Sequence, residues 1–102
     1  MSVLMVLRVP ADPEALKQAA QENRDALLGI SERAKGRGAI HHDFYAGTGE
    51  CVVVDEWDSP ESFQSFFEEE GANIGSLMAA AGVQGEPGRP QFYEKLSLGD
   101  EF

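Results

Sequence analysis

Two adjacent histidines, His41-His42, and the run Val52-Val53-Val54-Asp55-Glu56-Trp57 carry most of the chemistry this chain can offer. A strand points neighbouring side chains to opposite faces, so one subunit cannot close both histidines on a single metal ion. The chain has only two His and one Cys, too few for the ligand set that zinc wants. No metal is expected. A different use is sharper. With Gly47-Thr48-Gly49 as a three-residue hairpin loop, Tyr45 faces Cys51, Asp43 faces Val53, His41 faces Asp55 and Ala39 faces Trp57. A two-residue loop would shift this register by one. A carboxylate beside His41 would fix its tautomer and raise its pKa, making a general base for a phenol or enol. The plainer reading of His41 and Asp55 is a structural cross-strand pair. His42, between Ile40 and Phe44, reads as a packed core or interface histidine.

Trp57 and Phe66 read as aromatic walls of a pocket, with Tyr45 and Tyr93 as polar handles. Aromatic bodies with a hydrogen-bonding tip suit flat aromatic ligands, although the same residues also make ordinary core. Arg8 reads as an interface ion-pair residue and Cys51 as a small buried apolar one. No hydroxyl or thiol relay is evident. Gly36-Arg37-Gly38 follows a helix, whereas phosphate-binding glycine loops precede one.

The elements that hold these residues follow from periodicity. Ser2–Val9 is apolar on both faces and reads as a strand covered on both sides. Asp12 and Pro13 suit the cap and first position of a helix. Leu16, Ala19, Asn23, Leu27, Ile30 and Ala34 then mark one buried face through about Lys35. Strands are expected over Ala39–Ala46 and Glu50–Asp58. Ser59-Pro60-Glu61 opens a helix whose buried side is Phe63, Phe66 and Phe67, and Gly71 is expected to end it. A shorter helix is expected from Asn73 to about Ala81, a loop over Val83–Pro90, a last strand over Gln91–Leu98 and a tail over Gly99–Phe102. The order predicts an α+β, ferredoxin-like βαββαβ domain over residues 1–102, with a four-stranded antiparallel sheet. Both helices would cover one face of that sheet. The other face would stay apolar and bare, which predicts a homodimer packed sheet to sheet.

The bulk numbers narrow the function class. At 102 residues the chain makes one domain with a modest core. Its net charge is -10, and from Gly38 to Gly88 there are ten acids and no Lys or Arg. Nucleic acid and anionic membrane are poor partners for such a surface. One cysteine cannot form an internal disulfide, and neither a signal peptide nor a span of about 20 apolar residues is visible. A cytoplasmic protein is expected.

At the joint Asp55-Glu56-Trp57-Asp58-Ser59-Pro60-Glu61-Ser62-Phe63 the chain resembles the antibiotic biosynthesis monooxygenase-like family of dimeric α+β barrels. The family pattern there is an acid, any residue and Trp at the end of strand three, then a Ser-capped helix. The resemblance implies a dimer with one pocket per subunit between sheet and helices, and for some members a cofactor-independent oxygenase acting on aromatic polyketides or quinols. It implies no cofactor. Many members have a His where this chain has Phe66. The heme-degrading branch needs Asn, Trp and His where this chain has Leu7, Phe66 and Ser76, which speaks against heme. Two main readings stand: a monooxygenase-like enzyme for a small phenol or quinol, with His41 and Asp55 taking a proton, and a non-catalytic homodimer that binds a small hydrophobic or aromatic molecule or stabilises another protein; a metal- or heme-binding protein using the His41-His42 pair is a weaker third.

Overall fold

The computed structural model describes residues 2–83 and 88–102. Most of the expected loop between Val83 and Pro90, including Glu86, lies outside the described residues. The elements are β1 (Val3–Val9), α1 (Pro13–Glu22), α2 (Arg24–Lys35), β2 (Ala39–Ala46), β3 (Cys51–Trp57), α3 (Pro60–Ala80) and β4 (Gln91–Glu94). The strands form one four-stranded sheet in the order β2-β3-β1-β4, every pairing antiparallel. This is the expected α+β, ferredoxin-like arrangement.

Alternation along the central strands shows where the core sits. In β1, Val3, Met5, Leu7 and Val9 are buried, and in β3 so are Cys51, Val53, Asp55 and Trp57. These residues face the helices, because period-two geometry sends every second side chain to one side. Leu16 and Ala19 of α1 and Phe63 and Phe66 of α3 bury against them, and Leu77 of α3 is buried as well. The opposite face carries Leu4, Val6, Val52, Val54, Tyr45 and Tyr93, and among the described residues no element lies over it.

Two helix boundaries differ from expectation. The first helix breaks in two at Asn23, where φ is -120° and ψ is 37°. The Asn23 amide Nδ2 donates to the Ala19 carbonyl at 2.9 Å, and its backbone N–H uses the same oxygen at 3.0 Å. A short amide that bonds its own preceding turn ends a helix in this way. The second expected helix does not stop at Gly71. α3 runs on through Ala80 as a single 21-residue helix. A mid-helix glycine costs only about 1 kcal/mol, and buried Phe63, Phe66 and Leu77 on both sides of it outweigh that. The actual stop is Gly82, whose φ of 82° supplies the left-handed turn that follows the helix. β4 is also shorter than expected. It pairs only as far as Glu94, and Leu96 and Leu98 are exposed.

The hairpin register matters most for the site. Ala46 opposite Cys51 is the last pair, and Gly47 N–H bonds the Glu50 carbonyl at 2.8 Å. The loop is therefore Gly47–Glu50, one residue longer than expected, and the ladder slides by one. His42, not His41, stands opposite Asp55. A bulge between Ala39 and His41 takes up the extra residue, so Ala39 still faces Trp57.

Candidate functional site

Asp55 is the centre of the site. It sits in mid-β3 between Met5 of β1 and His42 of β2, on the helix-facing side, and is only 5% exposed. A buried carboxylate needs partners, and both of its oxygens have one. His42 Nδ1 lies 2.6 Å from Oδ1, and the Trp57 indole N–H donates to Oδ2 at 3.0 Å. Because the carboxylate accepts, Nδ1 carries the hydrogen and Nε2 keeps its lone pair. Nε2 has no protein partner among the described residues. Phe44 meets the imidazole edge to face at a centroid distance of 5.1 Å. Trp57 is 1% exposed, with Phe63 and Phe66 rings at 5.4 Å and 5.3 Å. The trio thus spans two paired strands, β2 and β3, with aromatic packing on both flanks.

Above it lies a cavity of about 480 Å³. Its floor is the helix-facing side of the sheet, including Met5, Val53, His42 and Trp57. Its walls are α2, through Leu27, Ile30 and Ala34, and α3, through Phe66, Ile74 and Met78. That is a small-ligand hollow with apolar walls and a few polar groups in one place. α2 itself has no fully buried residue. It is tied to α3 by a two-pronged ion pair, Arg33 Nε and Nη2 to the Glu70 carboxylate at 2.9 and 2.8 Å. The Arg33 guanidinium holds the Glu70 carboxyl below the ordinary carboxylate range. Arg37 pairs with Glu69 beside it.

The sequence-predicted residues divide between the two faces. Asp55, Trp57 and Phe66 come together at the cavity. His41 does not pair with Asp55. Its ring points away from the trio and lies 3.2 Å from Asp43, leaving His41 only at the cavity rim. Tyr45 and Tyr93 stand opposite Val52 and Leu4, so they belong to the open face, 56% and 50% exposed, and neither lines the cavity beside Trp57. Arg8 makes a two-pronged pair with Glu50 of its own chain, at 2.9 and 2.8 Å. Cys51 is buried, and burial pushes its thiol pKa up, so it is not a poised nucleophile. The residue that sequence reasoning misplaced is His42. The signal that would have found it is Ile40: one surplus residue in β2 reconciles a four-residue loop with the Ala39–Trp57 pair.

The hydrogen bond to Asp55 raises the His42 pKa above the usual imidazole value against the opposing effect of burial. A raised folded-state pKa contributes stability that is fully present below the unfolded value of about 6.5 and is lost as pH rises through the folded value. Thermal unfolding is therefore expected to show a decline in melting temperature from about pH 6.5 upward that is absent in His42→Gln. Equal slopes in both proteins would remove the link to this pair.

Among the described residues, no three His, Cys, Asp or Glu side chains converge as a metal site, and no helix is long and apolar enough to cross a membrane. No protein-family model matches the chain, and no curated protein matches it. Solved structures do. A monooxygenase from the gene ActVA-Orf6 of Streptomyces coelicolor, in complex with the ligand nanaomycin D, is similar at 19% identity and a TM-score of 0.68, over 93% of this chain and 88% of that one. A dimeric ferredoxin-like protein from an uncultured marine organism is similar at 15% identity and a TM-score of 0.63, over 89% and 84%. A protein named antibiotic biosynthesis monooxygenase is similar at 12% identity and a TM-score of 0.60, over 94% and 99%. The chain shares the fold of these proteins over nearly its whole length.

Proposed function

We propose that this chain is a homodimeric, cofactor-independent monooxygenase of the antibiotic biosynthesis monooxygenase-like family, acting on a small phenol- or quinol-type molecule in the cavity beside Trp57. The observation that carries the reading is the His42–Asp55–Trp57 trio on the floor of an otherwise apolar hollow. Asp55 orients the imidazole, and Nε2 takes the phenolic proton. The resulting phenolate is electron-rich enough to give electrons to dioxygen without a bound cofactor. Where the substrate carries an oxidisable ring CH2, the reaction balances as CH2 + O2 → C=O + H2O. Two C–H bonds break, one oxygen atom becomes the carbonyl, the other leaves as water, and the substrate supplies all the electrons. Apolar walls keep competing water away from the anion. The fold neighbours support the reading, since two of those named above are called monooxygenases and one of these was solved with the ligand nanaomycin D.

The test is oxygen uptake with a panel of hydroquinones and hydroxyanthrones. Turnover is expected to rise with pH as His42 loses its proton, the opposite trend to stability. His42→Ala is expected to lower it by about 10²–10⁴-fold, the usual contribution of a general base. His41→Ala is expected to leave it unchanged. Ligand-induced thermal shifts without oxygen uptake, in the presence of an intact trio, would instead favour the non-catalytic binding dimer.

A further inference from the structure

Leu27, Phe44 and Leu77 each line two hollows. One is the cavity at His42. The other, about 310 Å³, lies between α1 and the edge strand β2 and is lined also by Leu16, Lys17 and Ala20. The wall between them is made of these three residues, not of a continuous element. Leu27 comes from α2, which has no buried residue, and Phe44 from an edge strand, where it is partly exposed. Leu77, from α3, is buried and stays fixed, whereas Leu27 and Phe44 can change rotamer without unpacking the core.

We propose that the two hollows form one elongated site for a hydroxyaryl ligand carrying a carboxylate on a short alkyl arm. The ring lies beside His42, the arm passes the Leu27–Phe44–Leu77 wall, and the carboxylate meets Lys17. This rests on the reading that His42 faces the phenolic ring. The second hollow has its own chemical signature. Among the described residues Lys17, Arg24, Arg89 and Lys95 make no ion pair, whereas Arg8, Arg33, Lys35 and Arg37 do, and of the four unpaired cations Lys17 alone lines this hollow. No Asp or Glu lines this hollow, in a chain of net charge -10. Lys17 thus offers an uncommitted cation at the mouth of an apolar passage, and its methylene stem adds apolar surface to the wall. A charge-assisted contact at the far end would discriminate acids from their esters. Neutral phenols would use the first hollow alone.

Trp57 is the only tryptophan, so its fluorescence reports on the cavity directly. The experiment titrates the full chain with 1-naphthol, with ω-(hydroxynaphthyl)alkanoic acids of increasing chain length, and with their methyl esters. The best acid is expected to bind about tenfold or more tightly than both naphthol and its own ester. Lys17→Ala should abolish that advantage and Lys17→Arg should keep it. Ala20→Leu, which fills the second hollow, should also abolish it while leaving naphthol affinity unchanged. An acid that binds no better than naphthol or its ester, or an advantage that survives in Lys17→Ala, overturns the elongated site while leaving the ring site intact. If naphthol itself does not quench Trp57, the ring site fails as well, and the inference falls with it.

Discussion

Asp55→Ala is expected to cost about 3 kcal/mol of folding stability, the upper end of the usual penalty for leaving a buried donor without its acceptor. Two donors lose their acceptor at once, and one of them, the Trp57 indole N–H, belongs to a side chain only 1% exposed. For a domain of about 100 residues this is a fall in melting temperature on the order of 12 °C or more, readable by circular dichroism. Asp55→Asn separates folding from chemistry. The amide oxygen still accepts from one donor, so most of the fold is expected to survive. Its NH2 group, however, can donate to His42 Nδ1, which moves the imidazole hydrogen to Nε2 and removes the lone pair that would take the phenolic proton. Oxygen uptake by Asp55→Asn is therefore expected to fall as far as that of His42→Ala, at a much smaller loss of stability. Near-normal uptake by Asp55→Asn would count directly against His42 as the base.

Val54→Asp is expected to convert a dimer into monomers at micromolar concentration, as read by sedimentation velocity. Val54 sits in mid-strand on the face that no helix covers, opposite Val6 and Asp43. That face also carries Leu4, 43% exposed, with Tyr45 and Tyr93. A two-fold axis would bring both copies of the new carboxylate into one dry interface, in a protein that already carries a net charge of -10. An unpaired buried charge costs several kcal/mol, enough for a weakening of about 100-fold or more in the dissociation constant. Val54→Leu is the matched control and should sediment with the unaltered protein. If the unaltered protein itself sediments as a stable single chain, the sheet-to-sheet dimer is wrong.

The architecture was legible because it rests on strong, redundant signals. The apolar runs of β1 and β3, the Asp12-Pro13 and Ser59-Pro60 helix starts and the Phe63–Phe66–Phe67 face each point one way, and the structure keeps them all. Asp12 Oδ2 and Ser59 Oγ each accept a cap bond at 3.1 Å. The site was less legible because it depends on a single-residue count. Glu50 belongs to the loop, so every partner in the hairpin moves by one, and a strand side chain moved by one changes face. That displacement put His42 where His41 was expected and took Tyr45 away from the cavity beside Trp57. Local propensity also overstated two glycine and asparagine signals. It read Asn23 as part of a continuous face, where its amide found a nearer carbonyl. It read Gly71 as a terminus, where packing on both sides carried the helix past it. The walls contributed by α2 were legible only in part: Leu27, Ile30 and Ala34 were read as a buried face, but none of them is fully buried, and spacing does not distinguish lining a hollow from packing in a core.

The same property of α2 has a thermodynamic consequence. A helix held by arginine tethers, with empty space beneath much of its apolar side, has little of its own to keep it in place. Whatever enters supplies the contacts the helix lacks, so guest capture and helix settling become one event. Any measured affinity is then a sum of the guest's own attraction and the helix's gain in order, and a rigid, well-fitting guest will report as much about the strength of those tethers as about itself.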